Sequence, residues 1–200
     1  MVADPLAPLL RALDCSTGTS SDFDLNPDVV LPAGRKLRPA GVLIPIELRA
    51  DVPHVILTKR SSHLKHHPGQ IAFPGGKQDE GDADVIAAAL REAREEIGLP
   101  ESNVEVMGVL PTHETVTSFT VTPVLGGVRD AFDIIPEPGE VEEVFSVPLA
   151  HVTDPARFSI QSRRWQGSRR SYFTVPFGPY YIWGATARIL RGLADRIHSL

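Results

Sequence analysis

The pattern of apolar and polar residues changes from turn-rich to strand-like near residue 40. Residues 4–14, DPLAPLLRALD, predict a short helix with Asp4 as its N-cap and Pro5 in its first turn. The stretch after this helix is rich in Ser, Thr, Asp, Gly and Pro, which favour turns. Short apolar runs with β-branched residues follow, as in GVLIPIEL and PHVILTKR, and these predict strands. We therefore expect two parts, an N-terminal arm or lead-in at residues 1–39 and a folded domain at residues 40–200.

Further strands and a final helix are predicted in the second half of the chain. Strand-like runs recur as NVEVMGVLP, TVTSFTVTPVLGG and EVFSVPL. The stretch RFSIQSRRWQGSRRSYFTVPF predicts a hairpin that turns at Gln166-Gly167-Ser168. Close to the end of the sequence, helical spacing relates Ile189, Leu190, Leu193 and Ile197. A helix there would cover one face of the sheet, and the whole order indicates an α/β (α+β) fold.

Composition narrows the class of partner. The chain has 200 residues, of which 42% are hydrophobic and 22% charged, as in an ordinary globular domain. Its net charge of -5 argues against general binding to nucleic acid or to an anionic membrane. Cys15 is the only cysteine, and no apolar run approaches the roughly 20 residues of a membrane span. We expect a cytoplasmic protein with a small-molecule partner, no nucleic acid and no membrane.

An amphipathic helix is predicted in the middle of the chain. Asp82 or Asp84 can serve as its N-cap, and the helix ends at Gly98, which is followed by Pro100. Its apolar stripe consists of Ile86, Leu90, Ala93 and Ile97.

One flank of this helix is anionic. Glu92 and Glu96 stand four residues apart, with Glu95 beside them. Like charges at this spacing cost about a few tenths of a kcal/mol on an exposed helix. A solvated surface with pairs such as Arg91 and Glu95 explains most glutamate-rich helices. The alternative is a site for Mg²⁺, which typically takes one or two carboxylates and completes its shell with water and substrate phosphates.

The segment before the helix favours the metal site. The run FPGG ends with Gly75 and Gly76, where a backbone carbonyl can approach a metal without a side chain in the way. Gly76, Asp82 and the stretch REAREEIGL at 91–99 together resemble the signature of the Nudix hydrolases, which ends Arg-Glu-apolar-x-Glu-Glu-x-Gly-apolar. The match to this second half is complete. In the first half Asp replaces the usual Glu, and eight residues rather than seven precede Arg91.

This resemblance covers the chain from about residue 40 to its end. It implies a Nudix hydrolase domain at 40–200, with a mixed β-sheet sandwiched between helices, that hydrolyses a nucleoside diphosphate linked to another group. The implied cofactor is Mg²⁺ or Mn²⁺, bound by Glu92 and Glu96 with a contribution from the backbone of Gly76. Glu95 is implied to assist or to hold a second ion, and Arg91 to orient the glutamates.

A second motif lies in ILTKRSSHLKHHPGQIAFPGG at residues 56–76. It resembles the extra motif of the coenzyme A pyrophosphatase branch, which reads Thr-x-Arg-Ser, then Arg, Gly and Phe-Pro-Gly-Gly. Lys65 stands where that branch usually has Arg, so the charge is kept while two-pronged hydrogen bonding is lost. Coenzyme A carries a 3'-phosphate, which extra cations would recognise. The predicted substrate-binding residues are Lys59, Arg60, Lys65, Gly69 and Gln70.

The implied reaction splits coenzyme A or its derivatives into 3',5'-ADP and 4'-phosphopantetheine or acyl-phosphopantetheine. One alternative is a Nudix pyrophosphatase for ADP-ribose, dinucleotides or nucleotides, in which the cations near Arg60 and Lys65 would not affect the rate. Another is a non-catalytic module that senses a nucleotide, although such a module can lose the carboxylates that this sequence keeps. The sequence leaves open whether two copies form a homodimer.

Several other residues admit two interpretations. Glu140 lies in a loop just before a strand, where Nudix enzymes sometimes keep a further glutamate as base or metal ligand; a solvated loop acid is the default. Glu114 invites the same hypothesis with less support. The crowded His63, His66 and His67 have basic neighbours and no cysteine, which favours phosphate contact or solvent exposure over a transition-metal site.

Arginine and aromatic residues alternate in the predicted hairpin. This pattern, which includes Trp165, is found where bases stack on proteins, but one hairpin on an acidic chain is weak evidence for nucleic-acid binding. Trp183, which follows the hairpin, is interpreted as a packing residue.

Overall fold

The computed structural model describes residues 4–15, 18–165 and 167–199. Gln166, which belongs to the predicted hairpin turn, lies outside the described residues. The helices are α1 (Ala7–Asp14), α2 (Val85–Ile97), α3 (Leu149–Val152) and α4 (Gly184–His198). The strands are β1 (Ser20–Ser21), β2 (Arg38–Arg49), β3 (Val52–Arg60), β4 (Ile71–Ala72), β5 (Gly75–Lys77), β6 (Val104–Val109), β7 (His113–Glu114), β8 (Phe119–Val128), β9 (Val141–Pro148), β10 (Ser159–Trp165) and β11 (Ser168–Thr174).

Nine strands of the described residues form one mixed sheet. Its main path runs β1-β7-β8-β2-β3-β4, and β5 also pairs with β2, β6 with β8, and β9 with β3. The long β2 and β8 pair in parallel, whereas β2 and β3 form an antiparallel hairpin. The remaining strands, β10 and β11, form the predicted antiparallel hairpin, with Ser159 opposite Thr174.

Helices cover both faces of the sheet. Adjacent residues of a strand point to opposite faces, so Leu43 packs in the cluster under α2 while Ile44 packs in the larger cluster on the other side. That larger cluster includes buried residues of α1, α3 and α4, among them Leu190 and Leu193 of the predicted C-terminal helix. The predicted mixed sheet sandwiched between helices is therefore confirmed.

The first described residues pack onto the sheet and onto α4. Helix α1 begins at Ala7, later than predicted, because the carboxylate of Asp4 accepts a hydrogen bond from the Leu6 amide in a turn that precedes the helix. Leu9 and Ala12 are fully buried in the larger core cluster. The predicted arm thus contributes apolar surface to the core.

A buried histidine joins strand β1 to β7. The Nδ1 of His113 lies 3.0 Å from the hydroxyl of Ser20, and its Nε2 lies 3.1 Å from the carboxylate of Asp22. The second oxygen of Asp22 accepts a hydrogen bond from the Val116 amide at 2.9 Å. His113 is completely buried, so each of its ring nitrogens has a polar partner in the interior.

Among the described residues, no helix is both long enough and apolar enough to cross a membrane.

The substitution His113→Leu tests the hydrogen bonds by which His113 joins β7 to Ser20 and Asp22. It leaves the Ser20 hydroxyl and one oxygen of the Asp22 carboxylate without the partner that His113 provides, so we expect the free energy of unfolding to fall by about 1–3 kcal/mol. Urea unfolding measures the change. The exposed His66 provides the control, since His66→Leu should leave stability nearly unchanged; equal losses in the two variants would contradict a structural role for His113.

Candidate active site

Helix α2 carries the predicted glutamates and has well-defined ends. Asp84, not Asp82, is its N-cap, because its carboxylate accepts hydrogen bonds from the amides of Ile86 and Ala87 at 2.9 and 2.8 Å. Gly98 ends the helix in the left-handed conformation, with φ of 74°. The acidic flank of α2 lies beside the turn that joins β5 to α2.

Arg91 connects that turn to the glutamates. Its Nε and Nη2 donate to the two oxygens of Asp82 at 2.9 and 3.0 Å, a bidentate pair. Its Nη1 lies 2.9 Å from the Glu95 carboxylate and 3.1 Å from that of Glu92. Hydrogen bonding from Arg91 lowers the pKa of Asp82 from its ordinary value, and only 6% of the Asp82 side chain is exposed. The arrangement fits the predicted orienting role of Arg91.

Glu96 is the most buried carboxylate of the site. It is 5% exposed, and its Oε2 accepts a hydrogen bond from the Gly75 amide at 3.3 Å. Burial raises the pKa of Glu96 to about 8, against the opposing hydrogen bond from Gly75, and the negative charge of Glu92 raises it further. Such a side chain is costly to ionise unless a cation lies beside it.

Glu92 lies one turn before Glu96 and faces the two glycines. Burial raises the pKa of Glu92, and the nearby Arg91 partly offsets the effect. A Cβ atom on Gly76 would lie 2.4 Å from Oε1 of Glu92, and one on Gly75 would lie 2.5 Å from the Gly41 carbonyl oxygen. Both glycines are required because backbone and carboxylates approach so closely.

Glu140 lies across from this pair, in the loop before β9. Its carbonyl oxygen accepts a hydrogen bond from the Ser61 amide at 2.8 Å, which fixes the loop against the end of β3. Its carboxylate is exposed, and its charge contributes to the raised pKa of both Glu92 and Glu96. Glu114, by contrast, forms an ion pair with Arg35 on another part of the sheet.

The carboxylates fit a divalent cation that also binds water and substrate. In the described part of the chain, no three His, Cys, Asp or Glu side chains form a ready-made metal cluster. Two neighbouring carboxylates, Glu92 and Glu96, together with the backbone of a glycine turn match the small protein ligand set that Mg²⁺ commonly takes when phosphates complete its shell.

The predicted substrate-binding residues occupy the end of β3 and the loop that follows. Arg60 lies close enough to Glu96 for its charge to favour the ionised carboxylate. The Arg60 amide donates to the Gln70 carbonyl oxygen, and the Gly69 amide donates to the Arg60 carbonyl oxygen, both at 3.0 Å. Gly69 has φ of 68°, a conformation that suits glycine in this turn. Lys65 is exposed in the same loop.

Lys59 has a partner that sequence reasoning missed. Its ammonium lies 2.6 Å from Oε1 of Glu142, whose other oxygen accepts a hydrogen bond from the Ser62 amide at 3.1 Å. Lys59 and Glu142 are 83 positions apart in the sequence, so no local sequence pattern predicts that they pair. Through Glu142, Lys59 is connected to the start of the loop between β3 and β4, residues 61–70, which we call the substrate loop because it carries predicted substrate-binding residues.

Comparison with known proteins identifies the family. The NUDIX domain family matches residues 37–166. The chain belongs to the Nudix family. It is 45% identical over 160 residues to the "Uncharacterized Nudix hydrolase NudL" of Escherichia coli (strain SMS-3-5 / SECEC), covering 80% of this chain and 83% of the relative. It is 43% identical, with the same coverage, to the protein of that description from Enterobacter sp. (strain 638).

Solved structures support the Nudix fold. The crystal structure of a MutT/nudix family protein from Enterococcus faecalis aligns with a TM-score of 0.51 and 17% identity, covering 86% of this chain and 66% of that chain. The residues of the signature lie on β5, on the turn that follows it and on α2. Asp82 pairs with the signature's Arg91 although the spacing is one residue longer than usual.

The Asp82→Asn substitution tests the pair with Arg91. The pKa of Asp82 in the folded protein is below its ordinary value of about 4. The pair with Arg91 therefore stabilises the fold at pH values above about 4. This stabilisation is lost as the pH falls through the lower folded-state pKa. We expect the variant to be less stable than the parent at pH 7, with a difference that shrinks below about pH 4. Urea unfolding across this range measures it, with exposed Glu80→Gln as control.

The Gly76→Ala substitution tests the close approach of the turn to Glu92. The added methyl group must displace the carboxylate, and a shift of about 1 Å in a reacting group costs roughly 10²-fold in rate. We expect kcat/KM to fall by that order while circular dichroism stays unchanged. Gly81→Ala is the control, because an added Cβ there meets nothing within 4 Å. Equal activity of the two variants would show that the approach does not matter.

Proposed function

We propose that this Nudix protein hydrolyses the diphosphate bond of coenzyme A and its derivatives. The products are 3',5'-ADP and 4'-phosphopantetheine, or acyl-phosphopantetheine from a thioester. The observation that carries the substrate assignment is that Arg60, a residue of the coenzyme A-type motif, is close enough to the buried Glu96 for its charge to favour the ionised carboxylate. A cation at that point can bind a substrate phosphate next to the carboxylates that would hold the metal.

The reaction uses a divalent cation, Mg²⁺ or Mn²⁺, for which Glu92, Glu96 and the Gly76 carbonyl are the proposed ligands. A bound cation of this kind neutralises charge on the bridging phosphates and favours attack by water on phosphorus. Glu95 is a further proposed ligand or assistant. Its contact with Arg91 supports this role, because the same guanidinium also contacts Glu92 and so aligns the two carboxylates.

A general base must remove a proton from the attacking water. Two carboxylates are candidates, Glu95 and Glu140, since both influence the pKa of Glu92 and neither is buried. Glu140 is carried by a loop that is hydrogen-bonded to the end of the substrate-binding strand, which keeps it near Arg60. Glu95 is restrained by Arg91 on the outer flank of α2.

The preference for coenzyme A rests on charge. Coenzyme A has one more phosphate than ADP-ribose or NADH, and Lys65 extends the cationic loop beyond Arg60 on a chain whose net charge is -5. We also propose a cytoplasmic location, which fits a single cysteine and a substrate of central metabolism.

A product assay tests the proposal. Purified protein with Mg²⁺ or Mn²⁺ is offered coenzyme A, 3'-dephospho-coenzyme A, ADP-ribose and NADH separately, and Glu96→Gln serves as the blank. We expect 3',5'-ADP to form from coenzyme A, slower cleavage of the dephospho compound, and no product with the variant. Preferential cleavage of ADP-ribose or NADH would overturn the coenzyme A assignment. Absence of cleavage with all four compounds would favour a nucleotide-sensing module.

The Lys65→Met substitution tests the cationic loop. We expect KM for coenzyme A to rise by about tenfold, because one charged contact to phosphate is worth roughly 1.5 kcal/mol, while KM for ADP-ribose stays nearly unchanged. Steady-state kinetics with both substrates measures the split. Lys36→Met removes an exposed charge elsewhere and is the control. An equal rise for both substrates would contradict a role in recognising the 3'-phosphate.

A further inference from the structure

A cavity of about 220 Å³ lies beside the active site and is not used in the mechanism above. It is bounded by the β10–β11 hairpin, the start of α4, the segment after β1 and the loop that precedes β4. Its walls combine two aromatic rings, two guanidinium groups, one imidazole and one carboxylate, namely Tyr172, Trp183, Arg163, Arg170, His67 and Asp22.

The aromatic wall joins strand β11 to the residue that precedes α4. The rings of Tyr172 and Trp183 meet edge to face, with centroids 5.1 Å apart. The guanidinium carbon of Arg163 lies over the Trp183 ring, 4.2 Å from its centroid. Trp183 therefore packs, as the sequence indicates, but it also holds a planar cation at the cavity wall.

The two arginines of the hairpin bring positive charge to this cavity, which the single carboxylate of Asp22 offsets in part. Arg163 and Arg170 lie directly opposite each other in the antiparallel register, so the hairpin places two guanidinium groups on neighbouring strands at the same level. His67 lines the same cavity, and its pKa is lowered by burial and then by the charge of Arg60, against the opposing charge of Asp22, which favours a neutral imidazole that can hydrogen-bond to a ligand. In the described ranges, no carboxylate lies within ion-pair distance of Arg163.

The cavity connects to the active site through a short stretch of the substrate loop. Gln70 lines the cavity, and its carbonyl oxygen accepts a hydrogen bond from the backbone amide of Arg60. The buried Thr186 of α4 donates to the carbonyl oxygen of Ile71, which fixes the helix start against this loop. The wall of the cavity at Gln70 is therefore adjacent to the backbone of Arg60.

The size of the cavity suits one end of a substrate. Pockets that hold an entire drug-sized ligand measure roughly 300–1,000 Å³, which is more than is present here. An aromatic ring and a guanidinium plane offer stacking surfaces for a base, and arginines bind phosphate. The pantetheine end of coenzyme A is uncharged and aliphatic, so it gains nothing from clustered cations.

We propose that this cavity binds the adenine nucleotide end of the substrate, with the base against the Arg163–Trp183 pair and the 3'-phosphate near the basic side chains. The assignment of the 3'-phosphate rests on the proposed function. It explains why a hairpin of alternating arginine and aromatic residues stands next to a diphosphate-cleaving site on an acidic protein.

The experiment measures product binding by calorimetry on the full chain without added metal. The probes are 3',5'-ADP, 5'-AMP and 4'-phosphopantetheine, and the variant is Arg163→Gln. Its control is Arg164→Gln, the same change at the next residue of β10, whose side chain points away from the cavity. We expect Arg163→Gln to weaken 3',5'-ADP by about tenfold, 5'-AMP by less and 4'-phosphopantetheine not at all, while the control changes nothing. Trp183→Leu should weaken both adenine nucleotides.

Two results of the binding measurements would overturn the proposal. If 3',5'-ADP binds equally to the parent, Arg163→Gln and Trp183→Leu, or if only 4'-phosphopantetheine is affected, the cavity is not the nucleotide subsite. This failure is separable from failure of the proposed function. If the protein cleaves coenzyme A but Arg163→Gln and Trp183→Leu bind nucleotides as the parent does, the proposed subsite alone is wrong. Arg163-dependent binding of 3',5'-ADP without cleavage of coenzyme A would keep the subsite and remove the activity.

Discussion

The close approach of the Gly75–Gly76 backbone to the carboxylates of α2 is the constraint on which the site depends. The Gly75 amide donates to Glu96, and Gly76 leaves no space for a side chain beside Glu92. This approach requires β5 to pair with β2 and α2 to pack across the sheet, so the core and the site are built by the same contacts. The helix thereby keeps two acidic side chains partly or wholly out of water, which is unfavourable without a cation.

Arg91 and the substrate loop distribute positive charge around this acidic pair. Arg91 contacts the carboxylate of Asp82 on the turn and those of Glu92 and Glu95 on α2. One guanidinium thus orients both glutamates without a separate cation for each. Arg60, at the end of β3, is close enough for its charge to lower the pKa of Glu96 against the effect of burial. Acidic side chains on α2, Arg60 at the end of β3 and the two arginines of the hairpin cavity therefore lie in neighbouring parts of the fold. A substrate with several phosphates and a base matches that arrangement of charges.

Local elements were predictable because their signals lie within a few residues. The end of α2 at Gly98, the hairpin of β10 and β11, and the apolar stripe of α4 follow from capping, turn chemistry and periodicity. The choice of Asp84 over Asp82 as N-cap depends on Arg91 taking Asp82 instead, a contact nine residues away. The parallel pairing of β2 with β8, the Lys59–Glu142 pair and the basic cavity join distant segments and leave no local signal.

The central claim is that Glu92 and Glu96 form a divalent cation site, and Mn²⁺ binding measured by calorimetry without substrate tests it most directly. The account predicts that Glu92→Gln and Glu96→Gln each weaken Mn²⁺ binding by about tenfold or more, comparable to or greater than the loss from mutating outer-shell partners of a metal site. Glu80→Gln, on an exposed residue of the preceding turn, should bind as the parent does. Unchanged Mn²⁺ affinity in both α2 variants would contradict the account.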